Sequence, residues 1–207
     1  MSSAIDQVRA INLFVVNVTV SAILSAIALR SVLGRGDLSY VFVRNERWDN
    51  AALGRYLSRS DRNSAWIDVR PIPALVRALQ SGNHKILAVC DASSRNRWQA
   101  ALDSRFYSLL VAPQNESELY RGPGQVLLTR FAEEFEREKK FMEFTNLAVQ
   151  VEAGAAPDRS GKVELTQKAV ACSIDDTHAD GRLTQFINQF AIHGVADDSI
   201  HRWLGGK

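Results

Sequence analysis

The longest apolar run of the chain lies near its amino terminus. Residues Ala10 to Leu29 contain no charged side chain in 20 positions, and 11 of these positions are Ile, Leu, Val or Phe. A helix of this length would span about 30 Å, the thickness of the hydrocarbon core of a bilayer. The run therefore predicts a single membrane-spanning helix, uncleaved because a charged arginine follows it instead of a small-residue cleavage site.

Three polar residues inside this run are spaced by four. Asn17, Ser21 and Ser25 would share one face of a helix, which suits packing against a partner helix in a membrane. The alternative is a helix buried in a globular core, which the β-branched content of the run also allows. Arginines dominate the carboxyl-terminal flank of the run, so the charge count favours a cytoplasmic position for the remaining chain.

The middle of the chain contains two short, strand-like apolar runs. AWIDV covers residues 65–69 and KILAV covers residues 85–89, and between them Leu75, Val76 and Leu79 recur at helical spacing. Strand, helix, strand in this order is typical of the start of a parallel α/β sheet, which is the main rival fold. Parallel pairing of the two runs would favour the rival.

The sequence pattern of the carboxyl-terminal half predicts helices followed by strands. A helix is predicted over 93–111 and ends before Pro113, and an amphipathic helix is predicted over 124–141. Alternation from Leu147, a β-like run over 163–174 and alternation over 182–195 predict an antiparallel meander. The predicted fold class is α+β: a transmembrane helix, then helices packed on a curved antiparallel sheet. The predicted segments are a tail and anchor (1–35), a linking region (36–92) and an α+β domain (93–207).

The composition and motifs of the chain give little indication of a catalytic or binding function. The net charge of +2, with arginines scattered among acids, gives no basic stripe for nucleic acid, so no direct nucleic-acid binding is predicted. Two cysteines stand 82 positions apart, and none of the four histidines has a neighbour at metal-ligand spacing. No glycine-rich phosphate loop and no nucleophile motif is present in the sequence. We therefore expect no catalytic residues, no cofactor and no metal.

The order of elements resembles the TraE-type subunits of bacterial conjugation systems. The likeness lies in SLLVAP (108–113), LLTRFAEEFEREKKFMEF (127–144), LAVQVEAG (147–154) and GKVELTQKAV (161–170), with the apolar run as a further support. The resemblance implies a single-pass subunit of the bacterial inner membrane whose periplasmic domain has a nuclear-transport-factor-like fold. It also implies self-association and contacts with other secretion-channel subunits.

The predicted function is accordingly a non-enzymatic assembly component of a type IV secretion machine, tethered to the bilayer. The resemblance places the domain in the periplasm, against the arginine count. We further expect Phe106, Tyr107, Leu110 and Pro113 to contribute to an interface. Two alternatives stay open. One is a structural protein of a viral shell or tail. The other is a soluble α/β protein that binds a small ligand with loops 69–71 and 90–94, at the carboxyl ends of parallel strands.

Overall fold

Five strands and six helices make up the part of the chain that the structure, a computed structural model, describes. Described are residues 9–34, 36–45, 54, 56, 63–80, 86–90, 92–101, 107–111, 139–152, 154, 161–174 and 179–193. The elements are, in chain order, β1 (Leu13–Asn17), α1 (Val20–Leu33), β2 (Ser39–Val43), β3 (Ser64–Ile67), α2 (Pro73–Gln80), β4 (Ile86–Cys90), α3 (Ala92–Ala101), β5 (Tyr107–Val111), α4 (Lys139–Glu152), α5 (Lys162–Ile174) and α6 (Ala179–His193).

The strands form one parallel sheet in the order β2-β1-β3-β4-β5. In the register, Val16 lies opposite Phe42 on one side and Ile67 on the other. This is the order of a doubly wound α/β fold. The predicted α+β fold with a curved antiparallel sheet is therefore wrong. The alternative prediction, parallel pairing of the two strands of the middle region, is confirmed by the pairing of Ile67 with Val89.

The apolar run near the amino terminus folds as two elements. Residues 13–17 form β1, at the centre of the sheet, and the chain then turns at Val18 and Thr19 into α1. The Thr19 hydroxyl accepts a hydrogen bond from the backbone N–H of Ala22 and so caps the helix. Gly34, in the left-handed region at φ 63°, ends it with N–H bonds to the carbonyls of Arg30 and Ser31.

The predicted transmembrane helix over Ala10 to Leu29 is a second correction. Among the described residues, the structure contains no helix with the length and apolarity needed to cross a membrane. The run is uncharged because a central strand and the helix behind it are both fully enclosed by protein. Continuous burial thus produces the same residue pattern as a lipid environment.

Helices cover both faces of the sheet. On one face, the buried side chains of α1 pack with Phe14 and Val16 of β1 and with apolar residues of α4, α5 and α6. On the other face, Leu13 and Val15 meet Trp66 and Trp98, whose rings pack edge to face at 5.5 Å. The alternation of β1 side chains between these two cores makes it a strand buried on both faces.

The predicted antiparallel meander is helical. Residues 147–151 lie in α4, residues 163–174 in α5, and residues 182–193 in α6. The apolar residues that pack into the core follow helical spacing. They recur as i, i+3, i+4 and i+7 in both Phe144, Leu147, Ala148, Val151 and Leu183, Phe186, Ile187, Phe190. Period-2 and period-3.6 patterns share positions over one or two turns, so a short alternation does not distinguish a strand from a helix.

Of the remaining predicted elements, some are confirmed, one is wrong in part and one lies almost entirely outside the described residues. The strand–helix–strand pattern of the middle region is present as β3, α2 and β4. The helix predicted over 93–111 ends at Ala101, and residues 107–111 form the edge strand β5 instead. The amphipathic helix predicted over 124–141 lies outside the described residues apart from its end, where α4 begins at Lys139.

Candidate functional site at the carboxyl edge of the sheet

The chain reverses its direction of travel across the sheet between β1 and β3. From β1 the chain moves outward to β2, whereas β3, β4 and β5 follow one another on the other side. At such a switch point the loops after the strands diverge and leave a crevice at the carboxyl edge, where doubly wound proteins hold their ligands. Polar residues follow β1, β2 and β3 at this edge.

Asp68, which directly follows β3, has an unusual backbone conformation. Its φ is 56°, and among the described residues no other non-glycine residue has a positive φ. An L-residue there is strained by about 1 kcal/mol or more, and such strain persists only where the surroundings enforce it. The backbone N–H of Asp68 donates to the carbonyl of Val89, which fixes the turn to the neighbouring strand β4.

Asn45, which follows β2, holds this turn from the opposite side. Its Nδ2 donates to the carbonyl of Asp68 at 2.7 Å, and its Oδ1 accepts the backbone N–H of Arg70 at 2.8 Å. A single side-chain amide thus satisfies two backbone groups of the strained segment. Trp98 of α3 adds a third tether, because its Nε1 donates to the carbonyl of Val69 at 2.9 Å.

Asn17, the last residue of β1, joins the two loops. Its Oδ1 accepts the backbone N–H of Asn45 at 3.3 Å, and its Nδ2 donates to Oδ2 of Asp68 at 3.1 Å. The same carboxylate oxygen of Asp68 accepts the Thr19 hydroxyl at 3.4 Å. The ends of three parallel strands are therefore connected in one polar network, with the half-buried Asp68 carboxylate at its centre.

A second carboxylate occupies the amino terminus of α1. Oε1 of Glu152, the last residue of α4, accepts the backbone N–H groups of Val20 at 2.6 Å and Ser21 at 3.3 Å. Oε2 accepts the Ser21 hydroxyl at 2.8 Å. A helix amino terminus carries a partial positive charge and unpaired N–H groups, so a carboxylate is favourable there.

This arrangement determines what the edge can recognise. In many doubly wound proteins a phosphate sits on the N–H groups that begin the first helix, after a glycine-rich turn. Here the turn consists of Val18 and Thr19, contains no glycine, and its N–H groups already bind Glu152. The edge therefore lacks a free helix terminus for a phosphate, and the carboxylates of Asp68 and Glu152 lie beside the turn.

The structure separates the predicted helix-packing residues. Asn17 lies at the end of a strand, whereas Ser21 and Ser25 lie in α1. Ser21 binds Glu152 of another helix, and the Ser25 hydroxyl donates to the carbonyl of Ser21 within α1. The first two residues thus belong to the candidate site, and Ser25 is an internal residue of the helix.

The predicted interface residues fall outside the site. Tyr107 and Leu110 belong to the edge strand β5, and Phe106 and Pro113 lie outside the described residues. Of the two loops predicted for the α/β alternative, 69–71 directly follows Asp68 at the site. The other, 90–94, runs from the end of β4 into α3.

Four residues of the site were missed by the sequence analysis: Thr19, Asn45, Asp68 and Glu152. Three of them carry a readable signal, because each is a polar residue within two positions of the end of a buried apolar strand. Glu152 carries none, since its partners are 131 and 132 positions away in the sequence. In the described part of the chain, no group of three His, Cys, Asp or Glu side chains could hold a metal ion.

Comparison with protein-family models and with curated proteins finds no match to this chain. The predicted membership of the TraE type, the secretion scaffold, its oligomeric partners and the inner-membrane location therefore stay predictions. The fold that this resemblance implied is the part that the structure corrects.

Exchanging Glu152 for glutamine tests the cap on α1. We expect Glu152→Gln to lower the free energy of unfolding by about 1 kcal/mol, because the charge that faces the helix dipole is lost while an acceptor oxygen remains. Urea denaturation of the two proteins measures the difference. Glu143→Gln is the matched control, since Glu143 is exposed on α4 beyond the first turn of that helix and its exchange should cost less than about 0.5 kcal/mol. Equal effects of the two exchanges would contradict the capping role.

Proposed function

We propose that this protein binds a small polar ligand in the crevice between β1 and β3, at the carboxyl edge of its parallel sheet. The observation that carries the proposal is the strained turn at Asp68, held by Asn45 at the switch point of the sheet. Backbone strain of this kind concentrates at sites where it presents a functional side chain. At Asp68, the strained backbone presents the carboxylate of that residue.

The chemistry of the edge favours a ligand that donates hydrogen bonds. The carboxylates of Asp68 and Glu152 are acceptors, and both lie at the start of α1. A ligand with hydroxyl, amide or amine groups would find acceptors there, whereas a phosphate would meet a helix terminus that is already occupied. The proposed ligand class is therefore hydroxyl-bearing or amine-bearing, and not a phosphate ester.

Fragment screening by nuclear magnetic resonance tests this proposal directly. The full chain, labelled with ¹⁵N, is titrated with small fragments that carry hydroxyl or amine groups and with inorganic phosphate. Amide shifts should cluster on residues 17–21, 45 and 68–70 with the donor-bearing fragments, and phosphate should leave these residues unchanged. Donor-bearing fragments that map elsewhere, or phosphate that shifts this edge, would overturn the proposal.

Two exchanges at Asp68 separate its side chain from its backbone. Asp68→Gly removes the carboxylate and relieves the left-handed strain, whereas Asp68→Ala removes the carboxylate and keeps the strain. We expect the alanine variant to be less stable than the glycine variant by about 1 kcal/mol, and both to lose fragment binding. Thermal denaturation measures the first effect and the fragment titration the second. Retained binding in the glycine variant would show that the carboxylate is not the recognition group.

A further inference from the structure

A buried arginine lies at the opposite, amino edge of the sheet. Arg30 is in the last turn of α1, and only 6% of its surface is exposed. It lies beside Tyr40, near the beginning of β2, and Asn188 of α6. A buried guanidinium is costly unless its charge and its N–H groups are compensated, so its partners matter.

Among the described residues, the hydrogen-bond partners of Arg30 are neutral. Its Nε donates to Oδ1 of Asn188 at 3.2 Å, and the Tyr40 hydroxyl donates to the same oxygen at 3.1 Å. Arg30 also hydrogen-bonds the Tyr40 hydroxyl. A guanidinium has five N–H donors, and in the described part of the chain no carboxylate lies within ion-pair distance of this one.

Neither neighbour can supply the missing negative charge. Burial raises the pKa of Tyr40 far above its usual value, against the opposing effect of Arg30, so the phenol stays protonated at neutral pH. The carboxyl terminus of α1 contributes only about half an elementary charge, and part of its carbonyl capacity is used by Gly34. Among the described residues, the guanidinium therefore has no negatively charged partner.

We propose that Arg30, with Tyr40 and Asn188 as its positioning neighbours, forms a binding site for a small oxyanion, a carboxylate or a phosphate, at the amino edge of the sheet. Planar N–H pairs of arginine bind such oxygens in bidentate geometry. The exposed residue Gly36 borders the guanidinium, since a Cβ at this position would lie 4.0 Å from Nη2 of Arg30. This site is separate from the crevice between β1 and β3 and does not depend on the function proposed for it.

Anion titration of the full chain tests the site. Inorganic phosphate and acetate are added separately at constant ionic strength, while the Arg30 Nε–H resonance and the calorimetric heat are followed. Saturable binding of at least one anion in the millimolar range or tighter is expected, and the arm with the smaller Kd identifies the preferred oxyanion. Absence of saturable binding of both anions would overturn the proposal.

Asn188→Asp provides the sharpest variant, because it places a carboxylate at the position that already lies 3.2 Å from Nε of Arg30. The internal carboxylate should neutralise the guanidinium, raise the denaturation midpoint and abolish the anion response. Arg30→Lys should weaken binding by about tenfold or more, since an ammonium lacks the planar pair of donors. Arg77→Lys on the exposed surface of α2 is the matched control and should bind as the native chain does. An anion response that survives Asn188→Asp would contradict the site, whether or not Arg30→Lys folds.

Discussion

Exchange of Leu24 for aspartate is expected to abolish cooperative folding of the chain. Leu24 has no exposed surface and lies in the middle of α1, within the larger core between the sheet and the carboxyl-terminal helices. An unpaired carboxylate there loses its hydration and gains no partner, and the penalty reaches several kcal/mol even if the group protonates. Small domains are stable by only about 5–15 kcal/mol, so this single change removes most of the margin.

A smaller change at the same position gives a loss of stability that can be measured. Leu24→Ala should lower the free energy of unfolding by about 2–5 kcal/mol, the range for a fully buried leucine that leaves a cavity. Gln167→Asp is the control for adding a charge to a helix, since Gln167 is exposed on α5, and it should change stability by less than about 0.5 kcal/mol. Circular dichroism during urea denaturation compares the three variants. A native-like transition in Leu24→Asp would show that α1 is not a core helix.

Exchange of Asn45 for alanine is expected to lower the free energy of unfolding by about 2–3 kcal/mol. The side chain holds two backbone groups, the carbonyl of Asp68 and the N–H of Arg70, at 2.7 and 2.8 Å. Each unpaired backbone group costs about 1–3 kcal/mol when buried, and water repays part of this at a half-exposed edge. The strained turn also loses the support that keeps it left-handed, so fragment binding at the crevice should fall with stability.

Asn63→Ala is the matched control for this exchange. Asn63 also connects two segments through its amide, donating to the carbonyl of Ala10 at 3.1 Å, but this hydrogen bond is exposed and lies on the amino edge. Its side chain makes one bond instead of two, and we expect a loss below about 1 kcal/mol with unchanged fragment binding. Chemical denaturation of both variants, together with the fragment titration, gives the comparison. A larger effect at Asn63 than at Asn45 would show that the turn at Asp68 does not depend on Asn45.

The sequence predicted the middle of the fold because its signals there are local. AWIDV and KILAV are short, β-branched runs that surround a helix-period segment, and both are strands of the parallel sheet. Strands buried on both faces read as continuous apolar runs, so these two could be recognised without knowledge of their partners. The same property misled the prediction at the amino terminus, where β1 and α1 follow each other as one apolar run.

Only part of the site could be predicted from the sequence, for a physical reason. Asp68 and Asn45 follow apolar strands, and a parallel sheet brings the ends of its strands to one edge, so their meeting follows from topology once the sheet is known. The left-handed turn at Asp68 has no glycine to signal it. Glu152 reaches α1 from the end of α4, a contact that depends on helix packing and has no local pattern.

The pairing of β1 with β3 makes the amino-terminal run part of the sheet and places the proposed crevice beside Asp68. A ¹⁵N-edited nuclear Overhauser spectrum of the full chain measures this pairing directly. The structure predicts interstrand contacts between amide and α-protons in parallel register, with Phe14 opposite Ala65 and Val16 opposite Ile67. Sequential helical contacts throughout residues 10–29, with no contact to residues 64–67, would show that β1 is not a strand of this sheet.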